Sequence, residues 1–165
     1  MSPVAFIEER VMFSPNIPIE VNNLLQAAVA ASSVDHSLAE NLFLQAQTLD
    51  SHCLQTYFAL YKFYFFQKRL VDAERIVLAG LAESAKQGGF PNDYQRLVGN
   101  PQKWNLYANE STLFYLYTLK ALAFIKLRLG FTLDAQLVLS HIEQLDPEDR
   151  SGASVIMALA AGVTE

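Results

Sequence analysis

The sequence predicts an all-α chain of about seven to eight helices joined by short turns. Three observations carry this. Strand signals are scarce, and residues 19–80 contain neither Gly nor Pro until Gly80. Leu, Ala, Gln and Glu, all good helix formers, dominate many such blocks. Apolar residues recur at three- and four-residue spacing, as in Leu133, Leu137, Val138, Ile142 and Leu145, which is one face of a helix.

Punctuation divides the chain into helices of about 14 to 20 residues. The N-terminal stretch MSPVAFIEERVMF carries Glu8, Glu9 and Arg10 where the apolar core of an export signal would lie, so no such signal is read there. Ser32-Ser33-Val34-Asp35 breaks the first block and offers an N-cap. Gln87-Gly88-Gly89-Phe90-Pro91-Asn92-Asp93 is a stop, and Gly130 separates two later helices. Asp146-Pro147-Glu148-Asp149 predicts a helix start: a cap, Pro at the first position and acids in the first turn.

Apolar residues are 52% of the chain and charged residues only 18%, so a folded domain with a weakly charged surface is expected. The net charge of −5 argues against uniform attraction to nucleic acid or an anionic membrane, and neither partner is expected. Residues 53–66 are the richest in rings, yet at 14 residues with Gln55 and Lys62 they fall short of the roughly 20 apolar residues of a membrane span. With one cysteine, Cys53, no internal disulfide can form, and a cytoplasmic protein is expected.

Three segments align with one another: SLAENLFLQAQTLDS from Ser37, VDAERIVLAGLAESA from Val71 and LDAQLVLSHIEQLDP from Leu133. Their small residues are Ala39, Ala73 and Ala135. The first two are 34 apart and the third lies 62 further on, which is 34 plus an insertion of 28. In the middle copy Tyr57, Leu60, Tyr61 and Tyr64 precede Ala73, Val77 and Gly80. In the last, Leu122 and Ala123 precede Gly130, Ala135, Leu139 and Leu145-Asp146-Pro147. In the first, Ala27 precedes Ala39, Phe43, Ala46 and Leu49-Asp50-Ser51. This pattern resembles the tetratricopeptide repeat (TPR) family, a 34-residue helix–turn–helix unit. Tyr61 stands where that pattern has a small residue, Lys126 where it has Tyr, and Asn23 and Gln26 where it has bulky ones.

The resemblance implies a single TPR-like α-solenoid in which antiparallel helix pairs form a right-handed superhelix. Residues 1–19 would be an N-terminal segment, 20–53, 54–87 and 116–149 the repeats, 88–115 an insertion, and 150–165 a closing helix. It also implies that Tyr57, Leu60, Tyr61 and Tyr64 hold helix to helix. The concave groove would be lined by Gln55, Phe58, Lys62, Phe65 and Phe66, by Tyr117, Lys120, Phe124, Leu127 and Arg128, and by Val21, Leu24, Ala28, Ala31 and Ser32. Phe63 falls on neither set and is expected against a neighbouring repeat. Rings would bury apolar side chains of a peptide and Lys62, Lys120 and Arg128 would pair with its acidic groups. The asparagines of the family's carboxylate clamp have no counterpart here.

Residues 4–18 hold Phe6, Ile7, Val11, Met12 and Phe13; they either pad one end of the solenoid, the favoured reading, or lie along the groove. In the insertion, a short helical turn is expected near residues 93–98 and a helix start near Asn100-Pro101. Trp104 and Tyr107 either anchor this loop or make a contact of their own. Residues 151–163 carry no charge. Val155, Ile156 and Leu159 there are either packed under the chain or covered by a second copy in a homodimer.

His36, His52 and His141 are far apart in sequence, and no metal spacing or phosphate loop exists. Cys53 reads as a small buried hydrophobe at a repeat junction. No metal, cofactor or catalytic residue is expected, and the chain reads as a non-enzyme. The leading expectation is a protein-interaction scaffold, an adaptor or small chaperone that binds a peptide or protein face. The alternatives are a structural subunit of a permanent assembly and, last, an enzyme of unknown class.

Overall fold

The computed structural model describes residues 17–99 and 103–164, and among them it is all-helical, with eight helices and no strand. They are α1 (Ile19–Ala31), α2 (His36–Leu49), α3 (Leu54–Phe66), α4 (Leu70–Gly88), α5 (Tyr94–Val98), α6 (Glu110–Arg128), α7 (Thr132–Leu145) and α8 (Ala153–Thr164). Local chemistry sets most boundaries. The Asp35 carboxylate accepts from the Leu38 amide at 3.1 Å and starts α2. Asp93 caps α5 through the Gln95 and Arg96 amides. Asn109 and Thr112 form a reciprocal capping box on α6.

Some backbone features recur at the spacing of the small residues. Ala39, Ala73 and Ala135 are each fully buried, and each donates its amide to the carbonyl four residues back, of Asp35, Arg69 and Phe131. The turn after α3 repeats after α6. Lys68 and Gly130, 62 residues apart, both take left-handed φ, 61° and 88°. Their amides donate to Phe65 and Leu127, and the next amides donate to Tyr64 and Lys126. The first copy differs: the Val34 and Asp35 amides both donate to Ala31, and no positive φ occurs there.

Helices α1 and α2, α3 and α4, and α6 and α7 pack as consecutive pairs. The first pair meets the second through α2 against α3, and the second meets the third chiefly through α4 against α6. Helix α3 also touches α6, and α8 packs on both α7 and α6. At the α4–α6 seam a Cβ on Gly80 would stand 3.2 Å from the Phe114 ring and 3.3 Å from Tyr57 Cβ, so this glycine allows the close approach. Phe63 packs edge-on to His36 and against Phe43 of α2, the neighbouring pair. Tyr57, Leu60, Tyr61 and Tyr64 are all buried, and so is Cys53. Each fully buried large apolar side chain contributes about 1.5–3 kcal/mol; this is why so ring-rich a helix as α3 is stable when enclosed on several sides.

One expected helix start lies outside the described residues and one is corrected. The start expected near Asn100-Pro101 falls outside the described residues; from residue 103 to 109 the chain is non-helical, and α6 opens at Glu110, where the capping box sits. Asp146-Pro147 does not start a helix. Asp146 is the C-cap of α7 with its carboxylate turned inward, and the last helix waits until Ala153, after left-handed Asp149 and Gly152. The Asp146 side chain is committed to a buried hydrogen-bond cluster and is not free to cap Pro147 onward. Among the described residues no helix is long and apolar enough to cross a membrane.

Candidate functional site

Helices α3, α6 and α8 enclose a cleft of about 330 Å³. That is large enough to take one or two large side chains of a bound segment. One wall is the α3 stripe Phe58, Tyr61, Lys62, Phe65 and Phe66, and the other is the α6 stripe Tyr117, Lys120, Ala121, Phe124 and Ile125; Ile156 of α8 adds an edge. Each stripe follows the helical repeat of three and four residues, so each wall is one face of its helix.

The two walls carry opposite chemistry at equivalent places. On α3 the order is Phe58, Lys62, Phe66; sixty-two residues on it is Lys120, Phe124, Arg128. Rings on one helix therefore stand at the repeat positions of cations on the other. Phe65 and Phe124 meet across the cleft with centroids 5.2 Å apart, and the Arg128 guanidinium lies 5.8 Å from the Phe65 ring. The Lys62 ammonium sits 5.2 Å from the Phe58 centroid and 5.8 Å from that of Phe66. Lys120 sits 5.4 Å from the Tyr117 centroid.

Lys120 is electrostatically distinct. Burial among the rings pushes its pKa down, against the opposing pull of Asp149 and Asp146. Among the described residues it has no ion pair. By contrast Arg69 pairs with Glu40 at 2.9 Å and with Asp72 at 3.0 Å, and Lys126 with Glu74 at 2.6 Å. Phe66 leaves 68% of its surface in solvent at the cleft's mouth. The arrangement can hold apolar side chains and neutralise a carboxylate beside them. Among the described residues no group of three or more His, Cys, Asp or Glu converges that could hold a metal ion.

Of the groove positions read from the sequence, Phe58, Lys62, Phe65, Phe66, Tyr117, Lys120 and Phe124 come together on this cleft, and Arg128 stands behind Phe65. The first copy does not contribute to it. Val21, Ala28 and Ala31 are buried, as is Gln55, because helix packing consumes those faces. Ile156, expected at a dimer surface, turns half-buried into the cleft, while Val155 and Leu159 remain exposed at 63% and 48%. Tyr61, Ala121 and Ile125 were not foreseen as wall residues; their three- and four-residue spacing from the foreseen ones was the available signal.

The insertion is anchored. Trp104 packs half-buried on the core, with the Lys103 ammonium 4.7 Å from its ring. The Tyr107 hydroxyl donates to Asp146, and the Arg150 guanidinium stacks at 4.5 Å on the Tyr107 ring. Most of residues 4–18, read as padding or groove filler, lies outside the described residues. Set against protein-family models, curated proteins and solved structures, the chain finds no match in any of the three.

Proposed function

We propose that this chain is a non-catalytic interaction scaffold, a TPR-like superhelix that holds an apolar, carboxylate-bearing segment of a protein partner in the α3–α6–α8 cleft. The observation that carries the reading is Lys120: a partly desolvated ammonium with no ion pair among the described residues, set among exposed and half-exposed rings. A carboxylate delivered beside Phe or Leu side chains satisfies both demands at once. A cytoplasmic location, and an adaptor or small-chaperone role, belong to this same reading.

The test is selection of a displayed random-peptide library on the immobilised full chain. Sequences with Phe, Leu or Ile next to Asp or Glu should be enriched. Lys62→Glu/Lys120→Glu should weaken a selected peptide at least tenfold, since hydrogen bonds to charged groups contribute about 1.5–3 kcal/mol. No enrichment, or equal binding by the charge-reversed chain, would sink the reading.

A second reading is favoured by Val155 and Leu159, exposed one helical turn apart on α8. On it the outer face of α8 is a self-assembly surface. Sedimentation at micromolar concentration decides: a dimer that Val155→Lys/Leu159→Lys converts to monomer supports it, and a wild-type monomer removes it.

A further inference from the structure

We infer that Lys120 is an acylation site for thioesters of apolar acids, whose acyl chain lies in the ring-lined cleft and stays there once transferred. The effect on a partner rests on the reading of the cleft as a docking site; the reaction itself does not.

The geometry supplies the two things such a transfer needs. The first is a seat for the chain. At about 330 Å³ the cleft is at the lower end of small-molecule sites. Its lining is largely apolar, with Phe58, Phe65, Phe124, Ile125 and Ile156. The second is an amine held beside that seat. Lys120 belongs to the lining and is half-buried, its ammonium 5.4 Å from the Tyr117 centroid, with no ion pair among the described residues. Burial favours the neutral amine, which is the nucleophile, although Asp149 and Asp146 oppose it. Lys62 lines the opposite wall, but its ammonium stands beside Phe66, at the mouth where that ring is mostly in solvent.

What else lines the cleft sets the reaction class. Among the described residues no His, Asp or Glu does, so none is there to activate a weak nucleophile or to protonate a poor leaving group. The acyl carbon must therefore arrive already activated, as in a thioester. The neutral Lys120 Nζ attacks the carbonyl carbon and an N–C bond forms. The C–S bond breaks, the sulfur leaves as thiolate with the bonding pair, and the amine's proton passes to solvent. The products are an amide and a thiolate, with no change of oxidation state. The amide carries no charge and its chain occupies the cleft. A carboxylate-bearing segment then loses both its cation and its apolar seat.

The full chain is incubated at about pH 8 with S-octanoyl- or S-acetyl-N-acetylcysteamine, so that part of the lysine population is neutral. Mass spectrometry of its peptides follows the fraction acylated at each lysine, with the exposed Lys68 and Lys86 as internal references. With the octanoyl donor Lys120 should react about tenfold faster than either reference, the gain from burying two methylenes of the chain. With the acetyl donor, too short to use the cleft, that advantage should shrink severalfold. The octanoylated chain should bind the library-selected peptide about tenfold more weakly. Lys120→Arg keeps the charge, so it should bind the peptide with or without donor treatment. Reaction no faster at Lys120 than at the references, reaction first at Lys62, equal preference with both donors, or peptide affinity unchanged by the octanoyl group overturns the inference while leaving the docking site standing. A chain-length-dependent preference for Lys120 in a chain that selects no peptide sustains the acylation site and sinks the partner reading instead.

Discussion

The hydroxyl of Tyr107, in the insertion, donates to the buried carboxylate of Asp146, 39 residues away, and accepts from the backbone amide of Glu148 at 3.0 Å. Asp146 also accepts from the Ser151 hydroxyl at 2.6 Å and from the Ser151 and Arg150 amides at 2.9 Å. One carboxylate thus ties the insertion, the end of α7 and the approach to α8. Replacing Tyr107 with Phe should cost about 1.5–3 kcal/mol, the worth of a hydrogen bond to a charged group. Asp146→Ala should cost more, because it strands several donors at once. Urea unfolding measures both; a Tyr107→Phe change below about 0.5 kcal/mol would show the knot to be incidental.

Two carboxyls make the fold acid-sensitive. The Arg69 guanidinium, then the Tyr64 hydroxyl, hold Glu40 below its ordinary 4.5 against the effect of burial. Burial works to raise Asp146, but the hydrogen bonds from Ser151, Tyr107 and Arg150 outweigh it and leave the group below its ordinary 3.8. Both therefore bind protons more weakly folded than unfolded. Their contribution is complete above about pH 5 and is lost as pH falls below about 4 through the depressed folded values. The urea midpoint should be level above pH 5 and fall below pH 4, less steeply in Glu40→Gln/Asp146→Asn.

Lys68 adopts, at φ 61°, the backbone that Gly130 takes at the equivalent turn. A left-handed backbone costs a side-chain-bearing residue roughly 1–2 kcal/mol. Lys68→Gly should therefore stabilise by up to about 1 kcal/mol, the gain reduced by the added freedom of the unfolded chain. Gly130→Ala should destabilise by about the same. Nothing lies within 4 Å of a Cβ built on Gly130, so conformation alone is tested. Thermal melts of the two variants should move in opposite directions.

Phe65 and Phe66 are neighbours with different duties. Phe65 is packed on Phe124 and under Arg128, while Phe66 is mostly in solvent. Phe66→Ser should change stability by less than about 0.5 kcal/mol yet weaken a cleft-bound peptide severalfold. Phe65→Ala should lower both, with an unfolding cost of about 2 kcal/mol or more. Equal behaviour of the two in binding and in melting would contradict the assignment of the cleft mouth.

The helices were legible in the sequence because apolar residues recur at three- and four-residue spacing and Gly and Pro fall mostly at the breaks. The same spacing put Phe58, Lys62 and Phe65 on one face of α3, and Tyr117, Lys120 and Phe124 on one face of α6, where they line the cleft. What escaped was set by single long-range contacts. Nothing in the spacing of Tyr107 and Asp146 announces their bond, so Asp146-Pro147 read as a helix start. The uncharged run of α8 has small or apolar residues on every side, so the face that turns Ile156 inward could not be picked out. In the first copy, Val21 and Ala28 sit where a groove was expected but are used up by packing.

The junction between α2 and α3 is smaller than that between α4 and α6, and its polar tie converges on Glu40, which holds both Tyr64 and Arg69. A stack joined by unequal seams does not open all at once. On that inequality the amides of the α1–α2 pair should exchange with solvent sooner than those at the α4–α6 seam, which native-state hydrogen exchange measures. Equal protection of the two would show that the smaller joint is no weaker.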